Sequence, residues 1–323
     1  MNRKSEAAIR HCDQLLLNAA KGIKILSHLN WSPSLRRRFL TNWKRGNPIL
    51  PKVTYSKIDY KEREVALKKV VKLCPRSDPR GKFIYRTAKS YLVAIRMLNS
   101  LGKSTFCRLS TELYGCPTDR ILGSRSTHLT AAKRFIVSTD PYDKTCRVDE
   151  NEICILPQTV QAEMQTRCDQ VFGRGVVEVK LDPKLASKAA AGARRIRIRS
   201  STCFSHEDIS QLIEHEAFVH SLTSLNGREQ GGLKALSLSA PRTTGTQEGL
   251  ALFAELITHS MDLHRLRRIA LRVIGVQMGI EGADFIDSFK FFLAAGQNEL
   301  GSYQSTARIF GACDFIGIVV YTK

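Results

Sequence analysis

Between Ser5 and Leu29 the residues Ile9, Cys12, Leu16, Ala19, Ile23 and Leu26 recur at spacings of three and four, the period of a helix with one buried stripe. After Trp31, Pro33 and the run Arg36 to Arg38, the segment Asn47 to Tyr60 carries Pro48 and Pro51 and reads as extended or loop-like. Helices are predicted over about Lys61 to Leu73 and Phe83 to Leu101, with Gly102 as a stop, and over a shorter stretch ending at Gly115 before Pro117. Pro157 to Phe172 is predicted to be helical, closed by Gly173 and Gly175. The period then changes. Val176 to Val179 is β-branched, and Arg195-Ile196-Arg197-Ile198-Arg199 alternates strictly, so both are predicted strands, the second with one apolar and one basic face. Ser205, with Asp208 three residues on, resembles a capping box for a helix running to Leu225, where Asn226-Gly227 should stop it. Helices are also expected over about Thr246 to His259, through Leu263, Leu266, Ala270 and Val273, and over Ala283 to Ala295. The pattern is helix-rich α+β with a small sheet beside residues 205–225.

Composition narrows the class. The 323 residues are 43% apolar and 25% charged, enough for one large or two small cores and unlike a disordered or fibrous chain. No stretch approaches the roughly 20 apolar residues of a membrane-spanning helix, and Met1 to Arg10 is polar where a signal peptide would lead into an apolar core. We therefore expect a cytoplasmic protein with no membrane association. Nine cysteines without any CxxC pair fit neither a disulfide framework nor a cysteine zinc knuckle, and reduced, mostly buried thiols are expected.

Of the net charge of +20, an excess of 17 lies in residues 1–100, where 23 Lys and Arg face 6 Asp and Glu. This divides the chain into a basic helical region, 1–125, and a second region, 126–323. Such a field attracts acidic partners. Nucleic acid is one reading, because Trp31, Phe39, Trp43, Tyr55 and Tyr85 sit among basic residues, but their core-like spacing makes it unlikely. GxSxG elbows, Walker loops and Rossmann glycine fingerprints are absent from the sequence, which disfavours serine hydrolases, nucleotide hydrolases and dehydrogenases.

The chemistry concentrates in His215-Glu216-Ala217-Phe218-Val219-His220, an HExxxH arrangement. The familiar zinc motif is HExxH, where four-residue spacing aligns both imidazoles and the Glu activates a water. Five-residue spacing places the second His about 140° around a regular helix. A one-residue π-type bulge would restore a common face; two structural histidines are the alternative. Thr246-Gln247-Glu248-Gly249-Leu250-Ala251 opens another apolar helix and offers Glu248, so that two His and one Glu could form a three-ligand catalytic zinc site with one open position. Glu255, one heptad on, is either a competing ligand or a residue that orients an imidazole.

HEAFVHSLTSLNGR followed by TQEGLALFAE resembles the bacterial QEGLA-motif proteins, often labelled flavohaemoglobin expression modulators, and the related microtubule-associated tyrosine carboxypeptidases. The resemblance extends to Asn30-Trp31 with its flanks, Pro51 to Tyr55, Leu113-Tyr114-Gly115 and ARRIRIR before the HExxxH helix. It implies a zincin-like metallopeptidase fold, one Zn2+ held by His215, His220 and Glu248, and Glu216 as catalytic base. It also implies a terminal tyrosine or similar bulky residue as leaving group. One departure stands out: relatives carry an Arg-Gly-Gly-like stretch and further helical sequence where this chain reads Ala307-Arg308-Ile309-Phe310-Gly311-Ala312-Cys313. The C-terminal wall of the site is expected to be altered.

The expected activity is zinc-dependent carboxypeptidase hydrolysis of protein or peptide substrates with acidic C-terminal tails; the alternative is a catalytically weak or inactive regulator acting by binding. The basic strand around Arg197 could take up an extended peptide by strand addition, or simply be an edge strand with solvated charges. A cation for the terminal carboxylate could come from Arg228, Arg242 or Arg308. Tyr303 and His259 are possible oxyanion partners, although a packed Tyr and a helix-surface His fit these positions equally.

Overall fold

The computed structural model describes residues 3–29, 31–143, 154–183, 185 and 187–311. Its helices are α1 (Arg3–Ala20), α2 (Pro33–Lys44), α3 (Lys61–Leu73), α4 (Pro79–Leu98), α5 (Ser104–Tyr114), α6 (His128–Asp143) and α7 (Pro157–Phe172). Strands β1 (Glu178–Asp182), β2 (Ala189–Gly192) and β3 (Arg195–Arg199) follow. The chain continues through α8 (His206–Leu212), a π-helical segment (Ile213–Ser221), α9 (Leu222–Glu229), α10 (Thr244–Ile257), α11 (Leu263–Ile280), α12 (Phe285–Ala294) and α13 (Glu299–Phe310). The fold is helix-rich α+β, and no described helix is long and apolar enough to cross a membrane.

Two compact units are distinguished, one of residues 1–21, 69–88 and 145–265, the other of 22–68, 89–144 and 266–323. In the first, the sheet runs β1-β3-β2, with β3 parallel to β1 and antiparallel to β2. Ile196 pairs with Val179 on one side and Ala191 on the other. The alternation in β3 works as the sequence implies: Ile196 and Ile198 are fully buried while Arg195 and Arg197 face out. Against this apolar face pack Val160, Met164 and Cys168 of α7, together with Ile209, Leu212, Ile213 and Ala217 of the segment from α8 onward. Each such apolar side chain contributes about 1.5–3 kcal/mol by leaving water. The core therefore clamps the HExxxH segment to the sheet.

Several expectations are corrected. β3 is the central strand, hydrogen-bonded on both sides, so it cannot take up a peptide by strand addition; β1 and β2 are the edge strands. Pairing with β3 makes a strand of Ala189–Gly192, overriding the weak strand preference of alanine. Gly227 does not end a helix. α9 continues to Glu229, and a Cβ on Gly227 would lie 2.5 Å from the Leu236 carbonyl carbon and the Ser237 nitrogen, so the glycine permits close backbone packing. α1 stops at Ala20, before Gly22 at φ +98°, short of the predicted Leu29. Cys154 and Cys203 form a disulfide, Cα to Cα 4.9 Å, contrary to the expectation of reduced thiols. The strand-like bridge between the adjacent Ile155 and Phe204 brings them together. Cys146 and Cys313 lie outside the described residues.

The second unit is built on aromatic packing. Phe39 lies against Phe285, Phe289 and Tyr303 with ring centroids 4.9, 5.0 and 5.6 Å apart. Trp31 stacks on Phe285 and Trp43 meets Phe289 edge-on. These aromatics of the basic third thus belong to a core.

Candidate metal centre

The site begins at the capping box. Ser205 Oγ accepts from the Asp208 N–H and an Asp208 carboxylate oxygen accepts from the Ser205 N–H, fixing where α8 starts. Lys188, just before β2, pairs with the same Asp208 carboxylate. Seven residues later the helix changes to π geometry over Ile213–Ser221. Hydrogen bonds reaching five residues back bring positions five apart onto one face, which is what HExxxH requires. The rings of His215 and His220 lie 4.8 Å apart, nearly perpendicular.

Glu248, in the second turn of α10, completes the group. His215 Nε2 lies 3.5 Å from Glu248 Oε2, and His220 Nε2 lies 3.6 Å from Glu248 Oε1. Ligands about 2.0–2.2 Å from one tetrahedral ion stand about 3.3–3.6 Å from one another. One ligand atom from each side chain lies within 4.8 Å of the others, close to that spacing, so His215, His220 and Glu248 could hold a metal ion. Glu248 and His220 keep partial exposure, whereas His215 is buried.

Behind the site lies Glu255, fully buried on α10. Its Oε1 accepts from His215 Nδ1 at 2.5 Å, Arg265 Nη2 at 2.7 Å and Gln211 Nε2 at 3.1 Å, and its Oε2 accepts from Arg265 Nε. Burial alone would raise its pKa, but the hydrogen bonds from His215 and Arg265 prevail and hold it below the usual carboxylate value. An ionised carboxylate only accepts, so Nδ1 of His215 is the donor and Nε2 is turned to Glu248. For His215 itself, burial disfavours the charged form, yet Glu248 and Glu255 outweigh it and lift the imidazole to about 9. Surroundings that stabilise a positive charge so strongly suit a bound cation.

Glu216 is buried beside this group, and its Oε2 accepts the Ala191 N–H of β2 at 2.8 Å. This amide points away from β3, so the outer edge of β2 faces a site carboxylate. Glu255 hydrogen-bonds to His215 Nδ1 and is not part of the His215, His220 and Glu248 group. Gln211, Arg265 and Ala191 were not anticipated. Gln211 sits four residues before His215 on one helix face, a detectable signal; the other two gave none.

The remaining positions divide. Arg197 pairs with Asp182 at 3.1 Å on the solvent face of the sheet. Arg228 is exposed in the last turn of α9, and Arg308 lies on α13 of the second unit. Arg242, directly before α10, stacks 5.1 Å over the ring of Phe83; partial burial, then the like charge of Arg86, lowers its pKa. Tyr303 belongs to the aromatic core of the second unit, where burial pushes its hydroxyl up to about 12. His259 is exposed past the end of α10, in a left-handed conformation at φ 55°. It is about 16 Å along the axis from Glu248 at 1.5 Å per residue. The altered stretch after Gly311 lies outside the described residues.

An α+β protein with two histidines and a glutamate that could hold a metal ion, flanked by a further carboxylate, is the class these features define. More particularly, the chain belongs to the microtubule-associated tyrosine carboxypeptidase family, whose sequence profile matches residues 37–323. No curated protein and no solved structure matches the chain significantly.

Proposed function

We propose that this protein is a zinc-dependent carboxypeptidase that removes a tyrosine or similar bulky residue from acidic C-terminal tails. The observation that carries the reading is the π-helical turn, which brings His215 and His220 together at Glu248 while leaving Glu216 beside them on a separate tether. Membership of a family described as tyrosine carboxypeptidases supports the reaction class. His215, His220 and Glu248 would hold the zinc, which when bound supplies a Lewis acid for the scissile carbonyl and acidifies the attacking water.

The protein's own groups divide the remaining work. Glu216, anchored through Oε2 by the Ala191 amide, keeps Oε1 to take the proton of the attacking water and return it to the leaving amine. The outer edge of β2 offers an extended peptide backbone a line of approach to that carboxylate. Arg242 is the best placed of the arginines for a substrate carboxylate: it precedes the Glu248 helix, its side chain is held on Phe83, and no described acidic group pairs with it. The excess of 17 positive charges in residues 1–100 favours acidic tails.

Metal analysis, combined with product analysis on peptides with free and amidated C-termini, tests the proposal. Stoichiometric zinc with release of single C-terminal residues from free ends alone supports it. Internal cleavage, or zinc without hydrolysis, overturns the carboxypeptidase reading.

A further inference from the structure

Glu255 has no solvent exposure, and side chains of Gln211, His215 and Arg265 converge on its carboxylate. A buried carboxylate is costly unless opposite charge and hydrogen bonds surround it. Here one oxygen takes Gln211, His215 and Arg265, while the other takes Arg265 alone, so the guanidinium grips both oxygens in the parallel two-bond mode open to arginine and not to lysine. The three donors come from separate places in the chain. Gln211 lies on α8 one turn before His215, and Arg265 in the first turn of α11, ten residues beyond Glu255. Arg265 is itself drawn inward, with 23% of its side chain exposed. The Arg265 backbone N–H is tied to Asp262 Oδ1 at 2.6 Å, which fixes the start of that helix.

The carboxylate so held can meet His215 in only one way. Its Oε1 lies 2.5 Å from Nδ1, which fixes the ring plane and turns Nε2 toward Glu248; in the neutral imidazole that a metal requires, the same bond keeps the proton on Nδ1. A rotation of Glu255 would release the imidazole about its two side-chain torsions, and the ligand group would lose its alignment.

We propose that Arg265 is a positioning residue of the metal centre: with Gln211 it locks Glu255, which locks His215, so that metal affinity depends on a residue that touches neither metal nor substrate. This rests on the metal-centre reading given above. Partners of this kind commonly change metal affinity by about 10- to 100-fold when removed, and that is the loss expected for Arg265→Met.

The experiment measures zinc affinity of the whole chain by competition with a chelator, and records the absorption spectrum of the cobalt-substituted protein. Wild type, His215→Ala, Arg265→Met, Arg265→Lys and Gln211→Leu are compared, with the melting temperature of the metal-stripped proteins followed alongside. His215→Ala should abolish tight binding. Arg265→Met should weaken it about 10- to 100-fold and shift the cobalt bands, while Arg265→Lys, which restores charge without the two-bond grip, should recover part of the affinity. Gln211→Leu should lose less than Arg265→Met. Retention of zinc by His215→Ala would overturn the metal centre itself. Loss of zinc there, with wild-type affinity and spectrum in Arg265→Met, overturns the positioning role alone. If Arg265→Met does not fold, Arg265→Lys decides: a loss of several-fold with a shifted spectrum upholds the role, and unchanged values overturn it.

Discussion

Glu216 and Glu248 stand close together, and their surroundings differ. Glu248 presents one oxygen to each imidazole, whereas Glu216 has an oxygen tied to the Ala191 amide. Glu216→Gln keeps size and hydrogen bonding but removes basicity, so metal content should stay near one per chain while turnover falls about 100-fold or more. Unchanged turnover would remove Glu216 from the mechanism. Glu248→Gln should instead reduce metal content, because a neutral amide is a far weaker ligand than a carboxylate. Arg242 makes a third prediction at this scale. Its guanidinium is held by Phe83 and by no acidic group among the described residues, so Arg242→Ala should raise KM for peptides with a free C-terminus or acidic residues and leave metal content unchanged. An unaltered KM would exclude it from substrate binding.

At the scale of elements, the HExxxH segment depends on what surrounds it. The π-helical turn is held between a capping box at Ser205 and the packing of α9, where Gly227 lets the backbone at Leu236 and Ser237 come close. A methyl at Gly227 meets backbone atoms at 2.5 Å, and these cannot step aside as a flexible side chain could. Gly227→Ala should therefore cost about 1–3 kcal/mol or more in denaturant unfolding; a cost below a few tenths would mean that the contact is easily relieved. The Cys154–Cys203 disulfide closes a loop of 49 residues in sequence between the start of α7 and the start of α8. Loop-closure entropy for that length is worth about 4 kcal/mol in the chain-entropy account. A reducing agent, or Cys203→Ser, should lower the melting temperature clearly, and an unchanged value would argue against the bond.

For the molecule as a whole, charge sets the response to salt and pH. Tail binding through exposed basic residues should weaken as salt rises, since screening acts over about 8–10 Å at moderate ionic strength. An acidic tail should be cleaved better than its amide-neutralised counterpart, and the difference should shrink across a salt series; equal cleavage at all salt concentrations would separate the basic third from substrate recognition. Acid stability has a different origin. Arg80 Nη2 lies 2.9 Å from Glu6 Oε2 and 3.0 Å from Asp78 Oδ2, and hydrogen bonds from Arg80 are the main cause holding both carboxyls below their ordinary values. With folded values depressed, the contribution is complete above the unfolded carboxylate range near pH 4 to 4.5 and is lost as pH falls through the folded values. Melting temperature should fall below about pH 4.5 in wild type, and by less in Arg80→Met. Because the groups are only partly buried, added salt should diminish the difference.

What the sequence determined by itself is local. The spacing of Ile9, Cys12 and Leu16 specifies a helix, Ser205 with Asp208 its capping box, and the alternation around Ile196 and Ile198 a half-buried strand, because each rests on interactions within a few residues. His215, Glu216 and His220 were legible for the same reason, as was the need for a π-type distortion between the histidines, whereas Glu248, 28 positions beyond His220, was legible only through its own motif. α2, α6 and α13 were not singled out, because their apolar stripes are short and their partners lie far along the chain. Only the tertiary structure made β3 central and β1 and β2 the edges, since hydrogen bonding between strands cannot be read from either strand alone. It likewise decided that Gly227 is a packing glycine and that Cys154 meets Cys203. Arg265 marks the same limit: its distance from His215 is 50 positions in sequence, and only the buried carboxylate of Glu255, held from the Gln211–His215 turn and from Arg265 at once, joins the two.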